Sequence, residues 1–203
     1  MKIAIFGSGN VGGALATGWA KAGHEIYLGL RDINNFKGKD LLQIDRISAH
    51  TISEAAEKAK VLLFATPPQV IVDIIPLLGD LSDKVVIDAT NAIRLKPEPY
   101  ATAYHAFADL SDGEVVKCFN TTGFENMKDP KYGPMSLDMF MAGESDQAKK
   151  IASQLSKDAG FEQCYDFGKA DKVELLEQFA LSWINLAIFQ GMGRGIGFKV
   201  LKR

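Results

Sequence analysis

Of the 203 residues only two are cysteine and three are histidine, and no charge of one sign dominates. Each shortage excludes something. Cys118 and Cys164 both lie inside apolar runs; a pair cannot build a disulfide framework, so they read as buried thiols of a reducing compartment. His24, His50 and His105 all fall away from the ends of candidate strands, so no histidine general base is indicated. No grouping of His, Cys, Asp and Glu has metal-ligand spacing, and neither a GxSxG elbow nor a GxxxxGK[ST] loop occurs. Lys plus Arg (23) almost balances Asp plus Glu (25), a net charge of −2. A protein that neutralises nucleic-acid phosphates carries a basic excess instead. No apolar run reaches the roughly 18 unbroken residues of a membrane span, and the six residues before the first glycine loop are too few for a signal peptide's apolar region. The expectation is a soluble, cytoplasmic protein without nucleic-acid or membrane partners. Its length fits one domain plus a small appendage.

What is present is an alternation. Short apolar runs at 2–6, 25–30, 61–65, 85–89, 115–119, 138–142 and 163–167 read as strands. Helical stretches are expected at 11–22, from the Thr51-Ile52-Ser53-Glu54 capping box to about 59, and at 70–78, 102–111 and 146–159. Residues 31–47 and 120–136 read as irregular. From Lys169 a single long helical pattern runs to Gln190, followed by a glycine-rich tail. Strands that are apolar throughout, rather than alternating, imply a parallel sheet covered on both faces. The expected fold is therefore α/β: a Rossmann-type, doubly wound, mainly parallel sheet over residues 1–165, with a small C-terminal helical region at 166–203.

The sharpest motif is Gly7-Ser8-Gly9-Asn10-Val11-Gly12. It follows a buried strand, opens a helix and begins a βαβ unit, the setting of a dinucleotide-binding loop. There Gly7 allows the tight turn, Gly9 lets backbone approach a pyrophosphate and Gly12 lets helix and strand pack closely. The helix N-terminus adds unpaired N–H groups and the positive end of a dipole. The run 191–197 is equally glycine-rich but follows a helix, and it reads as a close-packed terminal segment.

The second strand ends Gly29-Leu30-Arg31-Asp32. An NAD site wants a carboxylate at this strand end and an NADP site a cation. Leu30 stands where the acid would fall, and Arg31 can hold a 2′-phosphate in bidentate fashion. Ser8, Lys37 and Lys39 are further donors, while Asp32 argues for NAD. NADP(H) is the expectation. The other strand ends read Ala65-Thr66-Pro67-Pro68, Asp88-Ala89-Thr90-Asn91 and Lys117-Cys118-Phe119-Asn120. In an open α/β sheet the ligand lies across these ends, so Thr66 and Pro67 are candidates for the ribose–nicotinamide. Asn91 and Asn120 are candidates for orienting the reacting ring. A dinucleotide site with no evident acid–base residue suits hydride transfer between two cofactor-like rings.

GSGNVG at 7–12, GLR at 29–31, ATPP at 65–68, ATN at 89–91, KCFNTTGFENM at 117–127, MAG at 141–143 and FQGMGRGIGFK at 189–199 together resemble the coenzyme F420-dependent NADP oxidoreductase family. The sequence is similar, more distantly, to the NADPH-binding domain of membrane ferric reductases. The resemblance implies an NADP(H)-binding Rossmann domain and a C-terminal helical cleft for a deazaflavin (F420) or flavin-like acceptor. It also implies that Ser8 and Arg31 bind the 2′-phosphate. Leu30 and Asn35-Phe36 depart from the family's pattern, and Asn91 and Asn120 make the acceptor site more polar. Two other readings stand beside it: a reductase of a small imine or carbonyl compound, and a non-enzymatic NADP(H) sensor. Apolar residues lie nearly all round the helix at 175–190, which calls for burial on more than one side and points to a homodimer.

Overall fold

A computed structural model describes all 203 residues. Its strands are β1 (Lys2–Phe6), β2 (Glu25–Leu30), β3 (Ile47–Thr51), β4 (Val61–Phe64), β5 (Val85–Asp88), β6 (Glu114–Cys118), β7 (Lys131–Tyr132), β8 (Met135–Ser136), β9 (Met139–Ala142) and β10 (Cys164–Asp166). The α-helices are α1 (Asn10–Lys21), α2 (Ile52–Lys58), α3 (Ile71–Ile74), α4 (Ala103–Leu110), α5 (Phe124–Lys128), α6 (Asp146–Asp158) and α7 (Val173–Ile184). Eight strands form one sheet in the order β10-β9-β6-β5-β4-β1-β2-β3, and β7 and β8 form a separate hairpin. Neighbours are parallel except β6 and β9, which run antiparallel. This is a Rossmann-like, mainly parallel α/β fold with a C-terminal helix. The sheet's last strand ends at Asp166.

The apolar runs dictate the layering. Alternate residues of each central strand point to opposite faces, so a strand buried on both sides must be apolar throughout. Ile3 and Ile5 of β1 join Leu63 and Ile87 under α1 and α6, where Leu15, Trp19 and Leu155 meet them. Ala4 and Phe6 join Leu62, Phe64 and Val86 on the other face, under Ala55, Ile71, Phe107 and Leu176. The indole N–H of Trp19 donates to the Leu155 carbonyl at 2.8 Å, tying α1 to α6. The ring of Trp19 meets Phe119 edge-on at 5.4 Å.

Three local expectations are corrected, and one strand appears where none was assigned. The stretch at 47–51 is an edge strand, paired parallel to β2 from Ile47 to Thr51. The expected helix at 70–78 is broken into a 3₁₀ turn, the single turn α3 and a second 3₁₀ turn, because Pro76 has no N–H to continue the ladder. The irregular stretch at 120–136 contains α5 and the β7–β8 hairpin. The long C-terminal helix is α7 followed by a π-helical turn over Asn185–Phe189. The Thr51–Glu54 capping box forms in both directions, and Gly23 adopts its left-handed conformation at φ 93°.

Candidate active site: two clefts along the strand ends

The strand order reverses about β1, which has β2 on one side and β4 on the other. In such sheets the crevice outside the carboxyl ends at this switch point takes the ligand. A cleft of about 810 Å³ opens there. Gly7 and Ser8 from the glycine loop, Leu30 and Arg31 from the end of β2, Lys37, and Thr66 and Pro67 from the end of β4 all line it.

The glycine loop has the geometry its spacing predicts. Gly7 sits at φ 104°, and a Cβ there would meet the Ala65 carbonyl oxygen at 2.5 Å. A Cβ on Gly12 would lie 1.9 Å from the Gly7 oxygen and 3.2 Å from Ile5 Cγ2, so only glycine lets α1 start this close to β1. A Cβ on Gly9 would meet nothing within 4 Å, which leaves the loop's outer surface open. Gly9 caps α1 without any side-chain hydrogen bond. The first N–H groups of Asn10 and Val11 therefore have no side-chain competitor for an anion, an arrangement worth about 0.3–1 kcal/mol from the helix dipole. Ser8 Oγ donates to the Lys37 carbonyl at 2.5 Å, folding the 31–38 loop over the glycine loop.

The charges in the cleft are divided. Leu30 is buried and offers no carboxylate. Asp32 closes a local turn: its Oδ1 accepts from the backbone N–H of Asn34 at 2.8 Å and of Asn35 at 3.2 Å. Arg31 and Lys37 line the wall without ion-pair partners, and Asp73 is the acid of the opposite wall. Thr66 contributes a buried Oγ1 that has no hydrogen-bond partner.

Pro67 also borders a second cleft of about 360 Å³, walled by Pro68, Gln69, Asn91, Ile93, Arg94, Leu95, Leu181, Ile184 and Phe189. Its surface is almost wholly apolar, and Leu181, Ile184 and Phe189 come from α7 and its π-turn. The candidate residues Asn91 and Asn120 are brought together. Asn91 Nδ2 donates to the Asn120 carbonyl at 2.9 Å, and Asn120 Nδ2 donates to Asn91 Oδ1 at 3.0 Å. Asn91 lines the apolar cleft, whereas Asn120 is buried behind it, with its Oδ1 unpartnered. Phe119, at φ 63°, makes the turn that brings Asn120 there, a strained conformation costing about 1–2 kcal/mol.

Sequence reasoning missed the charged cluster behind these strand ends. Lys117 is fully buried, and its Nζ donates to Asp88 Oδ2 at 2.9 Å, the Thr90 carbonyl at 2.6 Å and Glu177 Oε1 at 2.5 Å. Burial alone would lower the lysine's pKa, but the two carboxylates outweigh it and hold it above the ordinary value. The signal was present: Lys117 interrupts Val115-Val116-Lys117-Cys118-Phe119, and a charge inside a buried strand requires a partner. The glycine-rich tail divides at residue 196. Residues 191–195 are exposed, whereas a Cβ on Gly197 would strike Leu137. The Ile196 carbonyl accepts from Trp183 Nε1 at 2.7 Å and Asn126 Nδ2 at 2.6 Å, so the tail is tied to both α7 and α5.

Residues 2–92 match the family model described as NADP oxidoreductase, coenzyme F420-dependent. Over those residues the chain is similar to that family. The resemblance carried by the sequence motifs is thus to the family whose model it matches. An F420-dependent NADP reductase of Methanothermobacter marburgensis is 28% identical over 209 residues, covering 93% of this chain and 93% of its own. A solved structure from Arthrobacter sp. FB24, described as a candidate F420-dependent NADP-reductase, is 23% identical; it superposes with a TM-score of 0.85 and full coverage of both chains. A reductive aminase from Aspergillus terreus, solved with NADPH and ethyl levulinate, is 20% identical with a TM-score of 0.68, but the chain covers only 62% of its length. At these identities the two structures share the fold.

Proposed function

We propose that this chain is an NADP(H)-dependent oxidoreductase that moves a hydride between nicotinamide C4 and a deazaflavin (F420) or flavin-like acceptor. The observation that carries the reading is the junction at Pro67. A cation-bearing cleft with a dinucleotide loop shares Pro67 with a more apolar cleft walled by α7. The pyrophosphate lies on Gly7, Ser8, Gly9, Asn10, Val11 and Gly12, with the open N–H groups of α1 facing it. Arg31 and Lys37 take the 2′-phosphate, and the engagement of Asp32 in its own turn removes the nearest competing acid. Thr66 and Pro67 support the ribose–nicotinamide, and the unpartnered Thr66 hydroxyl is free to bond it. The acceptor ring lies in the apolar cleft against Ile184 and Phe189, with Asn91 at its edge.

Nicotinamide and acceptor supply the redox chemistry between them. The protein's part is to hold two planar rings in contact and to exclude water from between them. That division fits a site whose one fully buried lysine, Lys117, is hydrogen-bonded to Asp88, Glu177 and the Thr90 carbonyl and lines neither cleft. The family relationship supports the cofactor and the acceptor class. The test is to follow NADPH oxidation at 340 nm against F420, FMN, FAD and ferric chelates. Turnover with a deazaflavin or flavin sustains the reading. Turnover only with a small imine or carbonyl compound, the chemistry suggested by the fold shared with the reductive aminase, would overturn it.

The exposed apolar residues Leu175 (53%), Ile188 (47%), Phe189 (61%) and Met192 (60%) on and after α7 support a homodimer through this helix. Light scattering after size exclusion checks it: a monomeric mass at micromolar concentration contradicts it. No helix is long and apolar enough to cross a membrane.

A further inference from the structure

We infer that the buried Lys117–Asp88–Glu177 cluster is a positioning device that sets Asn91 and α7 as the two walls of the acceptor cleft. The kinetic part of this inference rests on the function proposed above; the structural part does not. The side chains of Lys117 and Asp88 are fully buried and that of Glu177 is 7% exposed. Taking one ammonium and two carboxylates out of water is a poor way to gain stability, since well-packed apolar residues of similar volume serve as well or better. What the cluster supplies is direction, because its hydrogen bonds converge on one short segment.

Thr90 is held twice: its N–H donates to Asp88 Oδ1 at 2.8 Å, and its carbonyl accepts from Lys117 Nζ at 2.6 Å. Ala92 is held from the other side, its N–H donating to Glu177 Oε2 at 2.8 Å. Between these two fixed residues stands Asn91, whose carboxamide is then oriented by its reciprocal bonds with Asn120. Asn120 follows Lys117 by three residues, at the end of the strand the lysine belongs to. The second oxygen of Glu177 bonds Lys117 itself, so the same carboxylate that pins Ala92 anchors α7 to β6. Leu181 and Ile184, one and two turns further along α7, line the cleft opposite Asn91. Three charged side chains thus connect both walls of one cleft through a single lysine, and each charged nitrogen and oxygen of the three has a hydrogen-bond partner in the cluster or in residues 90–92. Lys117 and Glu177 touch no substrate in this account; they act through Asn91 and through the helix.

The test uses the full chain carrying Glu177→Ala, which leaves Lys117 paired with Asp88 and Thr90. Glu177→Gln serves in its place if the alanine variant does not fold. Hydrogen exchange on the protein without ligand should accelerate at least ten-fold in residues 88–95 and 173–189 while residues 2–31 stay unchanged. The dissociation constant for NADPH should move less than two-fold, and the single-turnover rate of acceptor reduction should fall at least ten-fold. In an Asn91→Ala background the same substitution should slow turnover by clearly less than it does alone, because only the part of its effect that passes through α7 remains. Exchange that rises uniformly, or does not rise, overturns the inference, as does a turnover effect undiminished when Asn91 is alanine. If the wild-type protein reduces no flavin-like acceptor, the proposed function falls, and the exchange pattern alone decides for or against the cluster.

Discussion

Replacing Arg31 with alanine separates the 2′-phosphate assignment from every other contact in the nucleotide cleft. The guanidinium is exposed, forms no ion pair and lines the cleft beside Lys37. Its removal therefore leaves no buried charge stranded, and the fold should lose almost nothing. A charge-assisted hydrogen bond is worth about 1.5–3 kcal/mol, and solvent exposure at this rim places a bidentate phosphate contact within that range rather than at its double. That converts to a loss of about 10- to 150-fold in affinity. The loss should fall on NADPH alone, because NADH has no 2′-phosphate for Arg31 to hold; its affinity should change less than about two-fold. Nucleotide fluorescence titration of both forms against wild type and Arg31→Ala measures the two numbers side by side. Raising the salt concentration should narrow the wild-type preference, since exposed charges are screened over about 10 Å at 0.1 M. Equal losses for NADPH and NADH, or no loss for either, would refute the reasoning that Arg31 reads the 2′-phosphate.

Three further outcomes follow from the same geometry. Gly12→Ala forces a Cβ to within 1.9 Å of a backbone oxygen, so α1 must shift. An overpacking cost of about 1–3 kcal/mol lowers Tm by roughly 2–12 °C in a chain of this size and weakens NADPH binding; an unchanged melting curve contradicts the close approach. Cys118 and Cys164 have sulfurs 3.9 Å apart, yet β9 separates their strands. Two strand spacings of about 4.8 Å exceed the roughly 4.4–6.8 Å between Cα atoms that a disulfide needs. Burial, followed by the neighbouring thiol, pushes the Cys118 thiol well above its ordinary pKa, so thiol titration should find Cys118 silent in the native protein and both thiols reactive after denaturation. A mass loss of two hydrogens under mild oxidant would contradict this. Lys117 is held above the ordinary lysine value of 10.5. A group whose folded pKa is raised contributes its full stability below the unfolded value and loses it as pH climbs through the folded one. Stability from the cluster should therefore be flat from pH 6 to 9 and fall only above about pH 10.5; a stability loss near pH 8 traced to Lys117 would be inconsistent with its pairing.

The parts of the molecule that announced themselves in sequence were those set by local chemistry. The continuous apolar runs of β1, β4 and β5 fixed their burial on two faces, and Gly7 and Gly12 stood where a turn and a helix–strand contact admit no Cβ. The Thr51–Glu54 box was readable because both of its hydrogen bonds lie within four residues. The failures are non-local or depend on competition between local signals. The edge strand at Ile47–Thr51 is short and half polar, and it owes its existence to pairing with β2 rather than to its own pattern. Pro76 breaks the helix that the apolar residues on either side of it suggest, because its ring nitrogen cannot donate to the ladder. The antiparallel entry of β9 depends on the path of the 120–136 segment, which no periodicity describes. At the site, each strand end was identified separately, but the hydrogen bonds that make Asn91 and Asn120 a pair link residues 29 apart. The Lys117–Glu177 contact spans 60 positions. A buried lysine in an apolar strand says that partners exist and leaves their positions to the fold.

The most direct test of the central claim is whether hydride passes straight from nicotinamide to the acceptor ring. NADPH deuterated at C4, oxidised by this protein with a deazaflavin acceptor, should deliver its label to a carbon of the reduced ring, where it does not exchange with water. Recovery of the deuterium in the reduced deazaflavin, with none appearing in solvent, is the predicted result. Label released to water, or retained in the nucleotide while the acceptor stays oxidised, would contradict the account.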